Sequence, residues 1–474
     1  MRTIKETAGN RTGVNRMKSR PFIIVALNIA VAVGAPAADI LDIGAEGDGI
    51  ALQWEFPGVL ESAAELSGPW IERPQAVASL VLPAAAPSFF RVRKPVYSVV
   101  DPGQTNCFSP SGIITPPLSG EDFYGQDAQF DGPASSYTNN GDGTVTDLET
   151  GLMWVRSRGS KMTWSNALSG AETNRTGGYS DWRMPTIKEL YSLIRFNGVN
   201  GPDNMTTAGY VPFIDTNYFE FAYGSGTGGE RVIDCQDWSA TEYVSTTMNN
   251  DETIFGVNFA DGRIKGYPKY IPGGGGEGYV LYVRYVRGNP AYGVNSFTNN
   301  GDGTITDMAT ALMWSQADSG TGLDWPSALA WVQAQNASNH LGYSDWRLPN
   351  IKELQSIVDY TRSPSTTATA AIDTNYFACS PITNEAGQSD YPYYWSATTL
   401  LDGAPSPTGA YISFGRAMGY APLLAAWVDV HGAGSQKSDP MTGDPADFPA
   451  GRGPQGDAVR IYNHVRLVRG GLAQ

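Results

Sequence analysis

The sequence has few of the residues that build disulfide frameworks, metal sites and nucleophilic centres. Its 474 residues include three cysteines and three histidines, and the cysteine spacing fits neither a disulfide framework nor a zinc site. No serine stands in a nucleophile-elbow motif, and no glycine-rich run precedes a helix as a nucleotide site requires. The sequence therefore predicts no recognisable catalytic centre. The residues concerned are Cys107, Cys235 and Cys379, expected as buried thiols, and His340, His431 and His464, none of which is repeated along the chain.

Positive charge is also scarce. The chain has 32 lysine and arginine residues against 47 aspartate and glutamate residues, a net charge of −15. Without residues 1–38 the balance is 26 basic against 46 acidic residues, a net charge of −20. Such a surface repels a phosphate backbone, so we expect no nucleic-acid partner. It favours neutral or cationic partners.

Only one long apolar run occurs, at residues 22–33, and it is short for a membrane span. Lys18 and Arg20 precede it, and the small residues 35–38 follow it, which is the pattern of a secretory signal peptide. We expect residues 1–38 to be removed on export, with Met17 as an alternative start of translation. An uncleaved signal anchor is the other interpretation. The predicted location is secreted, periplasmic or on the cell surface, without a stable membrane span after cleavage.

The sequence does contain a duplicated motif of thirteen residues. Residues 178–190 return as residues 342–354 with two positions changed, and identity of this length indicates an internal repeat. In each motif a helix N-cap residue is followed three positions later by glutamate, the arrangement of a capping box. The motif therefore predicts a short amphipathic helix in each copy. The predicted capping pairs are Thr186 with Glu189 and Asn350 with Glu353.

Further landmarks recur in the same order in both halves. Among them is a helix whose apolar face includes Leu168 in one half and Leu329 in the other. We assign residues 94–290 to a first copy and residues 291–474 to a second. The second has the longer late loops, above all the acidic segment 432–456, and loops on a constant scaffold often carry specificity. The other landmarks are residues 138–147 and 298–307, 152–154 and 312–314, 214–219 and 372–377, 238–241 and 395–398, and 285–288 and 467–470.

The region before the repeat, residues 39–93, has the pattern of a small β module. Residues 50–54 and 88–93 alternate like strands, and residues 66–70 mark a turn. This arrangement resembles small β-sandwich modules of bacterial exported proteins. We expect it to act as a spacer or packing module.

The repeated landmarks resemble the Lcl C-terminal domain family. The resemblance rests on Asn-Gly-Asp-Gly-Thr-Val-Thr-Asp, Thr-Gly-Leu-Met-Trp, Tyr-Ser-Asp-Trp-Arg, Trp-Ser-Ala-Thr and a terminal Val-Arg, which recur in both halves with few changes. It implies a C-type-lectin-like fold. The predicted fold class is therefore α+β: two tandem C-type-lectin-like domains, with twisted antiparallel strands and short helices, preceded by a small all-β module.

The resemblance also implies a surface or exported protein that binds a ligand. The collagen-like adhesin that names the family binds sulfated glycosaminoglycans, but a net charge of −20 makes a polyanion a poor partner for this chain. Many family members carry a second cysteine shortly after the one aligned with Cys107. Residues 112–117 have none, so the resemblance does not support a disulfide at Cys107.

The Asn-Gly-Asp-Gly segments leave two interpretations open. Their carboxylate and hydroxyl oxygens are of the kind that calcium prefers, although the spacing lacks the oxygen series and closing glutamate of an EF-hand. Asn-Gly and Asp-Gly are also the turn dipeptides of β-hairpins. We favour hairpins, expect no resident cofactor or metal, and keep calcium as the alternative. The residues concerned are Asp142, Thr144 and Asp147, and Asp302, Thr304 and Asp307.

Two sets of repeated residues are predicted to be structural. The repeated tryptophans lie inside helix and strand patterns, which favours a core role over a sugar-stacking one. An aspartate and an arginine flank one tryptophan in each copy, and we expect each such couple to form a buried bidentate ion pair. The tryptophans are Trp154, Trp182, Trp238, Trp314, Trp346 and Trp395; the predicted pairs are Asp181 with Arg183 and Asp345 with Arg347.

Aromatic residues outside the shared pattern are the candidates for ligand contact. We expect them in exposed late loops, where tyrosine beside aspartate or asparagine suits a neutral glycan. Two of them are expected in a loop that follows a strand at residues 257–264. The candidates are Tyr267, Tyr270, Tyr393, Tyr394 and Tyr420.

These features predict an exported, non-catalytic binding or adhesion protein that recognises a glycan or another surface ligand through loops of two lectin-like domains. Two copies on one chain raise the avidity for a repeated ligand. Two alternatives stay open. One is a structural or protein–protein interaction module of the cell surface. The other is a carbohydrate-active enzyme, which needs two carboxylates about 5–10 Å apart in a cleft.

Overall fold

The computed structural model describes residues 41–472 apart from seven short gaps, and it shows a mixed α+β protein dominated by antiparallel strands. This confirms the predicted fold class. The predicted signal peptide, residues 1–38, lies outside the described residues. Within them, no helix is both long and apolar enough to cross a membrane. The gaps are residues 47–48, 55–57, 66–67, 74–78, 84–88, 249 and 404–406.

The N-terminal module consists of two three-stranded antiparallel sheets. Its strands are β1 (Leu41–Glu46), β2 (Gly49–Trp54), β3 (Val59–Ala63), β4 (Ile71–Glu72), β5 (Ser79–Pro83) and β6 (Phe89–Arg93). The strand orders are β1–β2–β5 and β4–β3–β6. Val59 packs with Met308 and Ala311 of the second copy. The module is therefore attached to the second copy, although the first copy follows it in sequence.

The first copy contains twelve strands and two short helices among the described residues. They are β7 (Cys107–Ser109), β8 (Gly112–Ile114), β9 (Tyr137–Asn139), β10 (Thr144–Asp147), β11 (Leu152–Val155), β12 (Met162–Thr163), α1 (Trp164–Thr173), α2 (Ile187–Ser192), β13 (Val199–Asn200), β14 (Asp237–Thr247), β15 (Asp251–Asn258), β16 (Arg263–Pro268), β17 (Val280–Leu281) and β18 (Val286–Gly288). A 3-10 turn, Asp127–Gln129, precedes β9.

The second copy repeats this order and adds strands in its late loops. Its elements are β19 (Phe297–Asn299), β20 (Thr304–Asp307), β21 (Leu312–Ser315), α3 (Trp325–Ala337), α4 (Ile351–Ser356), β22 (Ile382–Thr383), β23 (Ser389–Asp390), β24 (Tyr393–Asp402), β25 (Thr408–Ser413), β26 (Met418–Ala421), β27 (Ala426–Asp429), β28 (Gln436–Pro440) and β29 (Val468–Arg469). The insertion at residues 432–456 supplies β28.

The two predicted capping boxes are confirmed. In the first, the Glu189 carboxylate accepts a hydrogen bond from the Thr186 N–H at 2.9 Å, and the Glu189 N–H donates to the Thr186 hydroxyl at 3.2 Å. Asn350 and Glu353 make the same exchange at the start of α4. Each helix has only six residues. Capping and burial of its apolar face therefore matter more than helix propensity.

Each copy is closed by a four-stranded sheet that joins its early strands to its last strand. The orders are β18–β11–β10–β9 and β19–β20–β21–β29. Asp142 accepts hydrogen bonds from the N–H and hydroxyl of Thr144, at 3.0 and 2.6 Å, and Asp302 does the same with Thr304. The Asn-Gly-Asp-Gly segments thus form hairpin turns, as predicted. In the described part of the chain, no cluster of three or more His, Cys, Asp or Glu side chains could hold a metal ion.

One seven-stranded sheet runs through both copies. Its order is β13–β24–β25–β28–β16–β15–β14, so that strands of the first copy flank three strands of the second. The two sets meet where Ile264 of β16 pairs with Gln436 of β28. At the other end, β13 pairs in parallel with β24 of the second copy. The copies therefore share one sheet and one continuous core.

The contact between the copies follows an approximate two-fold symmetry. Lys188 on α2 donates to the Ser356 carbonyl at 2.6 Å, and the equivalent Lys352 on α4 donates to the Ser192 carbonyl at 2.9 Å. Each copy thus gives the other the same lysine and the same carbonyl, as in an isologous interface. Burial lowers the pKa of Lys352 to about 7 and that of Lys188 to about 8.

A segment at residues 101–130 precedes the repeat motifs of the first copy but packs against the second. Phe108 belongs to the apolar cluster around Trp325 and Leu329 of α3. The sequence predicts Leu168 and Leu329 on equivalent apolar faces. Leu329 is 1% exposed, whereas Leu168 is 38% exposed. The prediction is therefore wrong for Leu168, because this segment covers only the second of the two faces.

Polar contacts fix the same segment to the edge of β24. The Gln104 side chain donates to the Thr399 carbonyl at 2.8 Å and accepts from the Thr399 N–H at 2.9 Å, as a neighbouring strand would. Asp127 accepts from the Thr398 hydroxyl at 2.5 Å. The segment therefore acts as an internal partner of the second copy.

The three cysteines are free thiols. Cys107 and Cys235 are buried, as predicted, and burial raises the pKa of Cys235 to about 12. Cys379 is only partly buried, which differs from the prediction. Its sulfur accepts a hydrogen bond from the Arg466 guanidinium at 3.5 Å.

Candidate functional site

The repeated tryptophans lie in the core. Their indole N–H groups bond mainly to carbonyls: Trp238 donates to Met162, and its equivalent Trp395 donates to Leu323. Such buried rings present no face to a ligand and hold the sheets and helices together. The six residues, Trp154, Trp182, Trp238, Trp314, Trp346 and Trp395, are each at most 5% exposed.

The predicted pairing of Asp181 with Arg183 is wrong. Arg183 binds Glu189 through two hydrogen bonds of 2.6 Å, and Asp181 binds Arg287 at 2.7 Å. The capping box fixes Glu189 so that both carboxylate oxygens face the guanidinium. A backbone bridge between Arg183 and Val286 brings Arg287 within reach of Asp181.

The second copy repeats this exchange of partners, so the predicted pairing of Asp345 with Arg347 is also wrong. Arg347 binds Glu353 through two hydrogen bonds of 2.5 Å, and Asp345 binds Arg469 at 2.7 Å. The Arg469 guanidinium also lies 4.0 Å from the ring centre of Tyr343. In each copy, the duplicated motif therefore forms ion pairs that connect the capped helix to the last strand.

Three of the five candidate tyrosines are buried, contrary to the expectation of exposed loops, and two of the three are neighbours in sequence. Tyr393 stacks on Tyr411 with ring centres 4.5 Å apart, and Tyr394 donates its hydroxyl to Asp318 at 2.5 Å. Both lie on β24, between β13 and β25 of the shared sheet, because the strand begins earlier than its sequence pattern indicates. Neither side chain is free to contact a ligand.

The other three candidates have different surroundings. Tyr267 lies on β16 and is only 8% exposed, so the predicted loop after residue 264 is wrong. Tyr270 is 44% exposed. Tyr420 lies on β26 and contacts Trp427 edge to face, with ring centres 5.5 Å apart. Tyr267 lines a large cleft.

That cleft lies between the two copies, over the face of the shared sheet. It has a volume of about 580 Å³, within the usual range of ligand sites. We call it the inter-copy cleft. Arg263, Lys265 and Tyr267 alternate along β16 and so point to the same face. Lys437 and Asp439 reach the cleft from β28 in the same way.

A buried charge cluster forms one wall of the inter-copy cleft. Lys437 forms an ion pair with Asp457, whose other oxygen lies 3.1 Å from the His431 Nε2 atom. The Lys437 Nζ atom lies 3.2 Å from that same ring nitrogen. All three residues belong to the second copy, in or beside its long insertion.

The charges in this cluster shift one another's pKa values. Burial, with help from Lys437, lowers the pKa of His431 to about 4, so the ring is neutral at neutral pH. Burial also lowers the pKa of Lys437 to about 8. For Asp457, burial acts upward, but Lys437 and His431 together hold its pKa well below the usual range. The cluster is therefore an ammonium–carboxylate pair beside a neutral imidazole.

A second set of ion pairs lines the inter-copy cleft, and one of these pairs joins the two copies. Arg263 of the first copy binds Asp402 of the second at 2.6 Å, and Asn200 of the first copy also donates to Asp402. Lys265 binds Asp261 at 2.5 Å. Burial acts to raise the pKa of Asp402, but Arg263 and its other partners lower it to about 2.

Several polar atoms of cleft residues have no hydrogen-bond partner among the described residues. They are the Tyr267 hydroxyl, the His431 Nδ1 atom, the Asn200 Oδ1 atom and one oxygen of Asp261. A buried polar group without a partner costs free energy, so such groups are normally satisfied by water or a ligand. The residues that line the inter-copy cleft therefore keep unused donors and acceptors buried beneath its surface.

Sequence reasoning missed most of the inter-copy cleft. The sequence shows His431 only as one of three unrepeated histidines, and no local pattern distinguishes Lys437, Asp457, Arg263 or Asp402. They are distant in sequence and meet only because β16 and β28 pair across the two copies. The sequence contains one signal for this part of the cleft. Comparison of the two copies shows that residues 432–456 are an insertion in the second copy.

The profile of the Lcl C-terminal domain matches residues 143–287 and 303–423. No curated protein and no solved structure matches the chain. The second matched segment ends before His431, so the buried charge cluster lies outside the family match. The matched segments cover more than half of the sequence and fall one on each half of the repeat. The chain therefore belongs to the Lcl C-terminal domain family, of which it contains two tandem copies.

Proposed function

We propose that the protein is an exported, non-catalytic binding protein that holds a glycan in the inter-copy cleft. The observation that carries the proposal is the lining of that cleft. Fixed ion pairs and unpartnered polar atoms surround it, and the partly exposed ring of Tyr279 lies on its rim. Sugars are bound by oriented polar groups that exchange hydrogen bonds with hydroxyls, next to an aromatic ring.

The charge of the inter-copy cleft favours a neutral sugar over a polyanion. Five lysine and arginine side chains line it against four aspartates, and three of those aspartates are bound to lining cations. An anionic ligand would have to compete with these carboxylates. A hydroxyl can instead accept from a cation and donate to a carboxylate without breaking the ion pair.

The ion pairs of Asp402 and Asp457 make these two carboxylates unsuitable as the proton donor of a hydrolytic reaction. Glycoside hydrolysis needs one carboxyl group that keeps its proton near neutral pH. Among the lining carboxyl groups, burial raises the pKa of Asp439 to about 6, and this group accepts hydrogen bonds from the Arg460 and Ile461 N–H groups. Asp402 has a pKa of about 2, and the pKa of Asp457 is also held well below its usual range. Both therefore stay ionised and paired with cations.

Export is supported by the sequence pattern of residues 18–38, and the mature N-terminus can be identified by mass spectrometry of the secreted protein.

The test is a glycan-array screen of the full chain, with and without a calcium chelator, followed by calorimetric titration of the best ligand. Tyr279→Leu removes the ring on the rim of the cleft, and we expect the affinity to fall by about tenfold, roughly 1.4 kcal/mol. Tyr270→Leu is the matched control, because Tyr270 is exposed in the same loop but does not line the cleft. A folded protein that binds no glycan, or equal losses in both variants, would contradict the proposal.

A further inference from the structure

Equivalent faces of the two copies differ in exposure. In the second copy, residues 101–130 cover the side of α3, the motif arginine and the edge of β24. In the first copy, the corresponding face consists of α1, Arg183, Thr241 and the edge of β14. We call it the open face. Arg183 has a 35% exposed side chain, against 3% for Arg347.

The difference extends along the whole face. Leu168 is 38% exposed where Leu329 is 1% exposed. Glu242 has a 53% exposed side chain where Thr399 is fully buried. Beside these residues, a groove of about 680 Å³ is lined in part by Arg183 and Thr241. Within the described residues, this face is therefore covered in the second copy and uncovered in the first. We call the covered one the filled face.

The filled face shows what chemistry fits this scaffold. Phe108 inserts an aromatic ring beside Leu329. Asp127 accepts a hydrogen bond from Thr398, and Gln104 pairs with the backbone of Thr399 at the strand edge. The occupant is thus a folded segment, with a β-hairpin and a 3-10 turn, that supplies an aromatic ring, a carboxyl group and a side-chain amide bonded to the strand edge.

The open face retains the groups that would meet such a segment. Leu168 stands where Leu329 receives the ring, and the buried Trp164, equivalent to Trp325, has the Lys269 ammonium 4.7 Å from its ring centre. Thr241 occupies the position of Thr398, and its hydroxyl accepts from the Ile187 N–H, which leaves its own proton free to donate. β14 is an edge strand of the shared sheet, and edge strands pair readily with extended segments.

We propose that the open face is a docking site for a looped segment of a partner protein, with an aromatic residue and an acidic residue arranged like Phe108 on its hairpin and Asp127 on its 3-10 turn. The aromatic ring covers Leu168, the carboxyl group accepts from Thr241 beside Arg183, and a side-chain amide pairs with the backbone of β14 at Glu242, as Gln104 does with Thr399. This site is separate from the inter-copy cleft and does not depend on glycan binding.

The probe is a fluorescently labelled synthetic peptide of residues 101–131 of this chain, with Cys107→Ser to prevent oxidation. We expect saturable binding to the full chain with one peptide per molecule, measured by fluorescence anisotropy. Leu168→Asp should weaken binding by about tenfold or more, roughly 1.4 kcal/mol. Leu148→Asp is the matched control, because Leu148 is an exposed leucine of the same copy away from the open face. Circular dichroism checks that both variants are folded.

Two further variants, one of the peptide and one of the full chain, test where the peptide binds. A peptide that also carries Phe108→Ala should lose most of the affinity, and Tyr279→Leu in the full chain should leave peptide binding unchanged. No saturable binding at millimolar peptide would overturn the proposal. Equal binding by Leu168→Asp and Leu148→Asp would overturn it as well, because the peptide would then be bound elsewhere.

Discussion

The arginine of the duplicated motif is buried in one copy and partly exposed in the other. The two arginines therefore allow the contribution of a buried ion pair to be compared with that of an exposed one. Arg347 and Glu353 are both almost fully buried, whereas Arg183 is partly exposed beside a buried Glu189. Removing one partner of a buried ion pair leaves a charge without compensation, which is strongly destabilising. An exposed partner is replaced in part by water.

We therefore expect Arg347→Met to lower the free energy of unfolding by about 3 kcal/mol or more. Arg183→Met should cost about 1 kcal/mol. Urea unfolding of both variants, followed by tryptophan fluorescence, measures the difference. Equal losses would show that the exposure of Arg183 does not reduce the contribution of its ion pair.

Lys352 gives a prediction about pH. Burial lowers its pKa in the folded protein to about 7, below the usual value for an unfolded chain. Between that value and about 10, the unfolded state binds more protons, so the free energy of unfolding rises with pH. The carboxylates of Asp101, Asp147 and Asp127 oppose the shift but do not abolish it.

Lys352→Met removes this titration, and stability should then rise less steeply between pH 7 and pH 9. The difference is at most about 1.4 kcal/mol per pH unit. Part of the rise should persist, because Lys188 has a folded-state pKa of about 8. Lys94→Met, at an exposed lysine, is the control. Unfolding midpoints in urea at three pH values give the slopes, and an unchanged slope for Lys352→Met would contradict the prediction.

At the scale of elements, α1 and α3 have matching sequences and unequal burial. Leu329→Ala on α3 should cost about 2–5 kcal/mol, because it leaves a cavity under Phe108. Leu168→Ala on α1 should cost less than about 1 kcal/mol, as at other partly exposed positions. Thermal unfolding of the two variants measures both costs. A large loss for Leu168→Ala would mean that α1 is covered in solution.

The elements also show how far the sequence could predict the structure. Local signals were sufficient for α2 and α4, whose capping boxes involve residues three positions apart, and for the Asn-Gly-Asp-Gly hairpins. They failed for Asp181, because its partner Arg287 lies on the last strand of the copy. Likewise, Tyr393 and Tyr394 are buried by β25 and the following loops, which a pattern confined to β24 cannot reveal.

The inter-copy cleft could not be predicted for the same reason. Arg263 and Asp402 come from different copies and are brought together by a sheet whose order is not the order of the chain. The repeat indicates two similar units but contains no signal for how they pack. Composition shows an acidic protein, yet the lining of the cleft is nearly balanced in charge.

At the scale of the whole molecule, the two copies share a sheet, a core and the segment at residues 101–130. We expect them to unfold in one cooperative transition, because neither keeps its buried surface without the other. Differential scanning calorimetry should show a single main endotherm for both copies. Two well-separated endotherms of similar size would contradict the prediction, since independent domains unfold independently.

The crossed contacts of Lys188 and Lys352 have a consequence for the history of the protein. Two identical subunits that exchange the same lysine and carbonyl would form a symmetric dimer, and each mutation would then change both halves at once. Joining the subunits in one polypeptide removes that constraint. The insertion at residues 432–456, the buried charge cluster beside it and the covering segment at residues 101–130 each occur on one side only. Gene fusion of a symmetric ancestor would have allowed one half to gain a binding site while the other kept a free surface.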